Sequence, residues 1–194
     1  MANLPLAFAE LLGGGVLLTA GISGNSVADV FAGAVSLKRL DVSGAGGTSV
    51  AAPSGAANPF ALSSGLKVGR VDQGVDASMT PGSPIVAPLP SKVVRIDPNW
   101  YAGQPAVFFQ VTSGPEKGKY WYLGEQIAPS VKLGDSVKAG DQVATYASHG
   151  TGIEIGWAAD AANTLAQKTS GYVEGQATTA GQDFMGFLRG LGVR

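Results

Sequence analysis

The sequence predicts a mainly β protein: an antiparallel barrel or sandwich with hydrophobic helices at its N-terminus and one helix at its C-terminus. Three observations support this fold class. Short runs of β-branched and aromatic residues, separated by turns rich in Gly and Pro, follow one another from residue 67 onward. No amphipathic helix of useful length interrupts residues 67–157. The apolar stretches at the two ends are instead typical of helices.

Residues 1–41 are predicted to form a hydrophobic helical segment. Leu4 to Ile22 is apolar apart from Glu10 and Thr19, and Pro5 suits the first turn of a helix. Its length approaches the roughly 20 residues that cross a bilayer, although Glu10 and a triple glycine weaken a membrane span. A small hairpin packed on the domain is the alternative. A secretory signal is disfavoured because the first positive charge is Lys38.

Residues 42–66 are predicted to be a linker. They carry no charge and consist mainly of Gly, Ala, Ser and Pro, which cannot bury enough surface to order themselves. We expect the linker to be disordered alone and ordered only against a partner chain or its own domain. Residues 1–66 also hold only five of the 27 charged side chains, so two unlike regions meet here.

Residues 67–160 are predicted to form the β domain. Pairs and triplets such as Pro81-Gly82 and Ser113-Gly114-Pro115 mark its turns, as does Asp97-Pro98. The predicted strands are Gly69–Val75, Pro84–Ala87, Lys92–Ile96, Ala106–Thr112, Lys119–Leu123, Gln142–Tyr146 and Gly152–Trp157.

Residues 161–194 are predicted to be an extension that ends in an amphipathic helix. Thr178 or Thr179 can cap this helix. Four apolar residues then follow at positions i, i+3, i+4 and i+7, namely Phe184, Phe187, Leu188 and Leu191. Such a stripe must pack on something, either the β domain or a neighbouring subunit.

Composition excludes several kinds of function. The net charge is −1 and no cluster of Lys and Arg is present, so we expect no nucleic-acid partner. The absence of cysteine excludes disulfides and thiolate nucleophiles. His149 is the single histidine. Most catalytic zinc sites need two or more imidazoles, which this chain alone does not supply.

Two segments resemble the lysostaphin-like (LytM-type) zinc endopeptidases. Pro81 to Ala87, followed by Lys92-Val93-Val94, is similar to their "P-G-x-P-V-x-A … G-x-V" hairpin. Val131 to Ala144 resembles their "V-x-x-G-D-x-V-x-A-G-Q-x-I" turn. Lipoyl and biotinyl carrier domains share the second pattern, but no basic residue here has the context of a carrier lysine. The resemblance therefore implies a β domain of the lysostaphin-like peptidase type.

The resemblance also implies where the family's metal ligands would lie. Arg70 to Asp76 matches "R-x-H-x-G-x-D", except that Asp72 replaces the histidine while Asp76 keeps the second ligand position. The final motif, "G-x-H-L-H-F-E", places Gly152 at the catalytic histidine and Glu154 at the zinc-binding one. The remaining family histidine falls near Tyr122 to Glu125, where no histidine is present.

Asp72, Asp76 and Glu154 would form an all-oxygen cluster, which suits Ca²⁺ or Mg²⁺ better than Zn²⁺. The alternative is that these three are solvated rim residues that never meet. Gly152 has no side chain, so a partner for a tetrahedral oxyanion is missing. We therefore expect no catalytic residue, no bound metal at these degenerate positions and no cofactor.

As a whole, the chain resembles small virion proteins of tailed phages. The matching segments are Arg70–Asp76, Gly152–Ala158 and Gly171–Gly181. The resemblance implies a structural component of the tail or tail tip, with a catalytically inactive domain serving in assembly or cell-wall contact. A groove lined by groups such as Tyr122, Glu125 and Trp157 would hold a partner chain or a glycan.

The expected partners are other virion proteins, bound through residues 1–66 and the C-terminal helix, and peptidoglycan. The expected location is the virion. Two alternatives stay open: an active peptidoglycan endopeptidase with a carboxylate-rich metal site, and a lysis-related protein anchored in the host membrane by Leu4 to Ile22.

Overall fold

The computed structural model describes residues 55–169 and 172–194. The predicted N-terminal helical segment, the first part of the linker and the membrane span proposed for Leu4 to Ile22 lie outside these residues. Within the described part of the chain, no helix is long and apolar enough to cross a bilayer.

Ten strands and two helices form the described domain. The strands are β1 (Lys67–Val71), β2 (Val75–Ser78), β3 (Pro84–Val86), β4 (Ser91–Tyr101), β5 (Gln104–Val111), β6 (Tyr120–Glu125), β7 (Ile127–Pro129), β8 (Ser136–Val137), β9 (Gln142–Tyr146) and β10 (Ile153–Ala158). The helices are α1 (Leu165–Lys168) and α2 (Thr179–Gly190).

The strands form two antiparallel sheets. The larger has seven strands in the order β1-β2-β10-β6-β5-β4-β8, and the smaller has three in the order β3-β9-β7. Every described strand pair is antiparallel. The prediction of a mainly antiparallel β protein with a C-terminal helix is confirmed.

The middle of the large sheet is buried on both faces. On one face, Phe109 stacks on Trp121 with ring centroids 3.9 Å apart, inside the main core that also holds Ile155. On the other face, Phe108 and Tyr122 belong to a second buried cluster. Because side chains alternate along a strand, neighbouring residues of β6 and β10 serve different faces.

Two predicted boundaries are wrong because local residue patterns conceal the turns. Gly69–Val75 is not one strand: β1 ends at Val71 and the chain reverses through a tight turn before β2, with the Asp72 N–H donating to the Gly74 carbonyl over 3.1 Å. Asp97-Pro98 lies within β4, whose pairing with β5 shifts register there. The hairpin turns instead at Ala102 and Gly103, where φ is positive. The short strands β7 and β8 were not predicted.

The end of the predicted linker is ordered by its own domain. Phe60 is 3% exposed and joins the main core. The Val86 N–H donates to the Pro59 carbonyl over 3.0 Å, and the Ala57 N–H to the Pro88 carbonyl over 2.9 Å. Residues 55–66 are therefore part of the β domain, and the predicted boundary at residue 66 lies too far along the chain.

The C-terminal helix packs on its own β domain. Thr178 caps α2, its hydroxyl accepting the Gly181 N–H over 3.0 Å, as predicted. Phe184 and Leu188 are fully buried. The Phe184 ring meets the edge of Trp157 on β10 with centroids 4.9 Å apart. Phe184 and Leu188 of the apolar stripe are thus covered by the β domain, while Phe187 and Leu191 are half-buried. The expectation that this helix binds another virion protein stays a prediction.

Replacing Phe184 by Ala should lower the free energy of unfolding by about 3–5 kcal/mol, because it leaves a cavity between α2 and β10. Chemical denaturation of the full chain followed by circular dichroism measures this. Gln182→Ala, on the exposed side of the same helix, should change it by at most about 0.5 kcal/mol. Equal small losses in both variants would show that α2 does not dock as described.

Candidate functional site

A cavity of about 300 Å³ opens beside the β1–β2 hairpin and the ends of β6 and β10. Its lining is polar and aromatic, with more acidic than basic side chains. The lining residues are Arg70, Gln73, Asp76, Trp100, Tyr101, Glu125, Thr151, Glu154, Gln167, Tyr172 and Glu174.

Asp72, Asp76 and Glu154 meet at the inner end of this cavity. One carboxylate oxygen from each lies within 4.8 Å of the others. The backbone explains the meeting: Glu154 of β10 is directly opposite Asp76 of β2, and Asp72 begins the turn that precedes β2. Asp72 is fully buried and Glu154 is 2% exposed. They are therefore not scattered rim residues.

Arg70 supplies the positive charge at this cluster. Its Nε lies 3.0 Å from Asp72 Oδ2 and 3.1 Å from Asp76 Oδ2, so one guanidinium bridges two carboxylates. Burial raises the pKa of Asp76 to about 6, and the opposing effect of Arg70 offsets this only in part. Because the Arg70 side chain is 48% exposed, solvent from the cavity reaches it.

The Asp72 carboxylate is almost fully occupied by hydrogen bonds. Besides Arg70, it accepts the Gln73 N–H over 2.6 Å and the Gly175 N–H over 3.0 Å. Its backbone carbonyl accepts the Thr178 hydroxyl over 2.5 Å. Asp72 therefore ties the C-terminal extension to the β1–β2 hairpin, a structural role that the sequence motif did not indicate.

Glu154 is held by two neutral donors. The Tyr122 hydroxyl donates to Oε1, and Gln73 Nε2 donates to Oε2 over 3.2 Å. The side-chain oxygen Oε1 of Gln73 in turn accepts a hydrogen bond from the Thr164 hydroxyl over 3.0 Å. Burial raises the pKa of Glu154 to about 8, the hydrogen bonds oppose this rise, and the charges of Asp72 and Asp76 add to it. The charged form of this carboxyl is thus disfavoured.

The close packing beneath Glu154 requires a glycine at position 74. A Cβ there would lie 2.5 Å from the Tyr122 hydroxyl oxygen and 2.7 Å from the Ile155 carbonyl oxygen, too close for any side chain. The turn between β1 and β2 can therefore sit directly on β10 and place Gln73 against Glu154.

Glu125 forms the opposite wall of the cavity in a strained conformation. Its φ of 75° is unusual for a residue with a side chain. The Thr151 hydroxyl donates to Glu125 Oε2 over 2.5 Å, and Gln104 exchanges two hydrogen bonds with Thr151. Burial raises the pKa of Glu125. Thr151 and Gln104 had no signal in the sequence, since they are 47 residues apart.

Of the three residues predicted to line the groove, only Glu125 does so. Tyr122 lies beneath the cavity, fully buried, and acts through its bond to Glu154. Trp157 is on the opposite face of β10 from Glu154, where it donates to Asp183 over 2.8 Å and packs against α2. Strand alternation explains this correction, because residues three apart on one strand face opposite sides. The aromatic walls are instead Trp100, Tyr101 and Tyr172.

Neither His149 nor Gly152 brings catalytic chemistry to the cavity. His149 is exposed in the turn before β10 and does not line the cavity. Gly152, at the position of the family's catalytic histidine, has a φ of 102° and donates its N–H to Gln126 over 2.9 Å.

A zinc ion does not fit these residues. Hydrolytic zinc sites use mainly imidazole ligands, and no imidazole lines the cavity within the described ranges. Asp72 Oδ2 already receives two N–H groups, and Asp76 is paired with Arg70. The guanidinium thus takes the place beside the carboxylates that a cation would need.

No protein-family model matches the sequence, and no curated protein matches it with significance. Among solved structures, the chain is similar to a crystal structure from Pseudomonas aeruginosa described as that of a candidate M23 peptidase. The sequences are 21% identical and the TM-score is 0.41. The match covers 57% of this chain and 47% of that one, so the chain spans about half the length of the protein it matches.

The free energy of unfolding should fall as the pH rises from about 5 to about 8. The pKa of Glu154 in the folded chain, about 8, lies above its ordinary value of 4.5, so the native state binds more protons than the unfolded chain between these values. Asp76, with a pKa of about 6, acts in the same direction at the lower end of this range. Denaturant unfolding at a series of pH values measures the slope.

Glu154→Gln removes the larger titrating group and should flatten this slope. Glu174→Gln changes an exposed carboxyl on the same cavity and is the matched control, which should keep it. A slope that Glu154→Gln leaves unchanged would contradict the burial described for this carboxyl.

Proposed function

We propose that this chain is a structural component of a phage particle, in the tail or tail tip, whose peptidase-like β domain binds its target without hydrolysing it. The segments Arg70–Asp76, Gly152–Ala158 and Gly171–Gly181 support the assignment to a phage particle through their resemblance to virion proteins. The proposal that the domain does not hydrolyse its target rests on one observation: Arg70 bridges Asp72 and Asp76, which stand at the metal-ligand positions of the lysostaphin-like motif.

Peptide hydrolysis requires an activated water and a donor for the oxyanion. Glu154 is buried and held by Tyr122 and Gln73, which leaves its carboxyl little access to a substrate. Glu125 is engaged by Thr151. The N–H of Gly152 is already donated to Gln126. Glu154, Glu125 and the Gly152 N–H are therefore committed to holding the fold.

The cavity nevertheless has the character of a binding site. A volume of about 300 Å³ with aromatic walls and a few fixed polar groups is typical of ligand pockets. Tyr101 is 45% exposed and offers a flat surface to a sugar ring or a peptide side chain. The lining has four acidic side chains and one basic one, which disfavours anionic ligands. A glycan or a neutral or basic peptide segment of a partner chain suits it best.

One observation favours a second candidate function, an endopeptidase with a carboxylate-rich metal site. Asp72, Asp76 and Glu154 do converge within 4.8 Å. In this alternative a hard cation would have to displace Arg70 from two carboxylates. The alternative of a membrane anchor depends on Leu4 to Ile22, which lie outside the described residues.

The purified full chain should release no soluble peptide or glycan fragments from cell walls of the host, with or without added Zn²⁺, Mn²⁺ or Ca²⁺. The physical reason is that Glu154, Glu125 and the Gly152 N–H are already engaged by other groups of the chain. Chromatography of the soluble fraction with mass-spectrometric detection measures release, and a known wall hydrolase is the positive control. Metal-dependent release that Glu154→Gln abolishes would establish the endopeptidase instead.

If the chain is a virion component, particles purified on a density gradient should contain it in a constant ratio to the other tail proteins. Quantitative mass spectrometry of intact particles and of separated tails measures this ratio. Washing with high salt is the control for loosely adsorbed protein. Recovery of the chain only in the host membrane fraction would contradict the proposal and favour the membrane-anchored alternative.

A further inference from the structure

The guanidinium of Arg70 lies beside a cluster of three carboxylates. Its Nε lies 3.0 Å and 3.1 Å from oxygens of two different carboxylates, Asp72 and Asp76. A third carboxylate, that of Glu154, lies within 4.8 Å of both. A cluster of this kind repels itself unless a positive charge lies among its members.

Asp72 gives the Arg70 guanidinium a second negatively charged partner beside Asp76. An imidazole at this position would offer the guanidinium no negative charge, whereas a carboxylate does. Arg70 Nε lies within hydrogen-bond distance of both carboxylates and so bridges them through a single nitrogen. The same carboxylate accepts two backbone N–H groups, from Gln73 and Gly175, so its orientation does not depend on Arg70 alone.

We propose that Arg70 is the built-in cation of this cluster, which makes the site independent of metal ions and closes a latent divalent-cation site formed by Asp72, Asp76 and Glu154. The inference goes beyond the proposed function because it concerns the cluster itself, whatever ligand the cavity receives. Arg70 lines the cavity and is 48% exposed, so an ion entering from solvent would reach the place that its side chain leaves. Oxygen ligands of this kind suit Ca²⁺ and lanthanides.

Titration of the full chain with Tb³⁺ tests this inference. Trp100 and Tyr172 line the same cavity and can sensitise terbium luminescence. The unaltered chain should show no saturable signal. Arg70→Gln should show a saturable signal, with half-saturation at least about tenfold below the highest Tb³⁺ concentration at which the unaltered chain shows none, and with Ca²⁺ competing, because the variant removes a positive charge from among the carboxylates. Arg70→Lys keeps the charge and should show no gain.

Two further variants identify the site. Asp76→Asn in the Arg70→Gln background should abolish the gain, since it removes a ligand. Arg95→Gln is the matched control: Arg95 pairs with Asp97 over 2.7 Å on the surface, away from this cluster, and its loss should produce no saturable site. Methylguanidinium added to an Arg70→Ala variant should compete with Tb³⁺ for the vacated position.

Saturable binding of Tb³⁺ or Zn²⁺ by the unaltered chain, abolished by Asp76→Asn, would overturn the inference. So would a folded Arg70→Gln variant without any gain in affinity. If Arg70→Gln fails to fold, the Tb³⁺ titration of Arg70→Ala decides the matter, and a folded Arg70→Ala variant without a saturable site would overturn the inference. A failure to find the chain in phage particles would refute the proposed function and leave these results untouched, so the two are tested separately.

Discussion

The burial of the Asp72 carboxylate is the constraint on which the rest of the site depends. A buried charge costs several kcal/mol unless it is paired and hydrogen-bonded. Asp72 receives that compensation from three parts of the chain: Gln73 in its own turn, Gly175 in the C-terminal extension and Arg70 in β1. Removing any of these contacts would leave a buried carboxylate with fewer donors. The hairpin, the extension and the guanidinium are therefore positioned together.

The cavity and the hydrophobic core are connected through β10. Glu154 faces the cavity, whereas Ile155 and Trp157 face the core, because adjacent side chains alternate across the sheet. Trp157 packs against Phe184 of α2. The hydroxyl of Thr178, which caps α2, donates to the Asp72 carbonyl. A change at Asp72 thus reaches both faces of the sheet. The extension that appears in the sequence as an appendage is a structural part of the site.

Regular periodicity made much of the fold predictable. In the strands from residue 104 onward, apolar residues either alternate with polar ones or follow one another without interruption. Helix α2 shows a clear apolar stripe and is capped by a threonine. The β1–β2 hairpin was missed because Val71 and Val75 are spaced as on one strand, while the turn between them depends on contacts that Asp72 makes with distant residues. Phe60 was assigned to a linker because its neighbours are small and polar. Only the tertiary structure shows that the core has room for its ring.

The sequence predicted which carboxylates form the candidate site, but not the hydrogen bonds and ion pairs that they make. The resemblance to the lysostaphin-like motifs implied that Asp72, Asp76 and Glu154 stand at metal-ligand positions, and the structure places them side by side. The hydrogen bonds of Gln73 were not predictable in the same way. Gln73 bonds to Glu154, 81 residues away, and to Thr164, 91 residues away, and no local sequence pattern indicates contacts over such separations. Gln73 and Tyr122 provide neutral donors to Glu154, whereas Arg70 provides a positive charge to Asp72 and Asp76. A metal-binding peptidase site needs an exchangeable cation with an open coordination position. Here the positive charge is a guanidinium of the chain itself, which has no open coordination position, and our proposal that the domain binds its target without hydrolysing it rests on this difference.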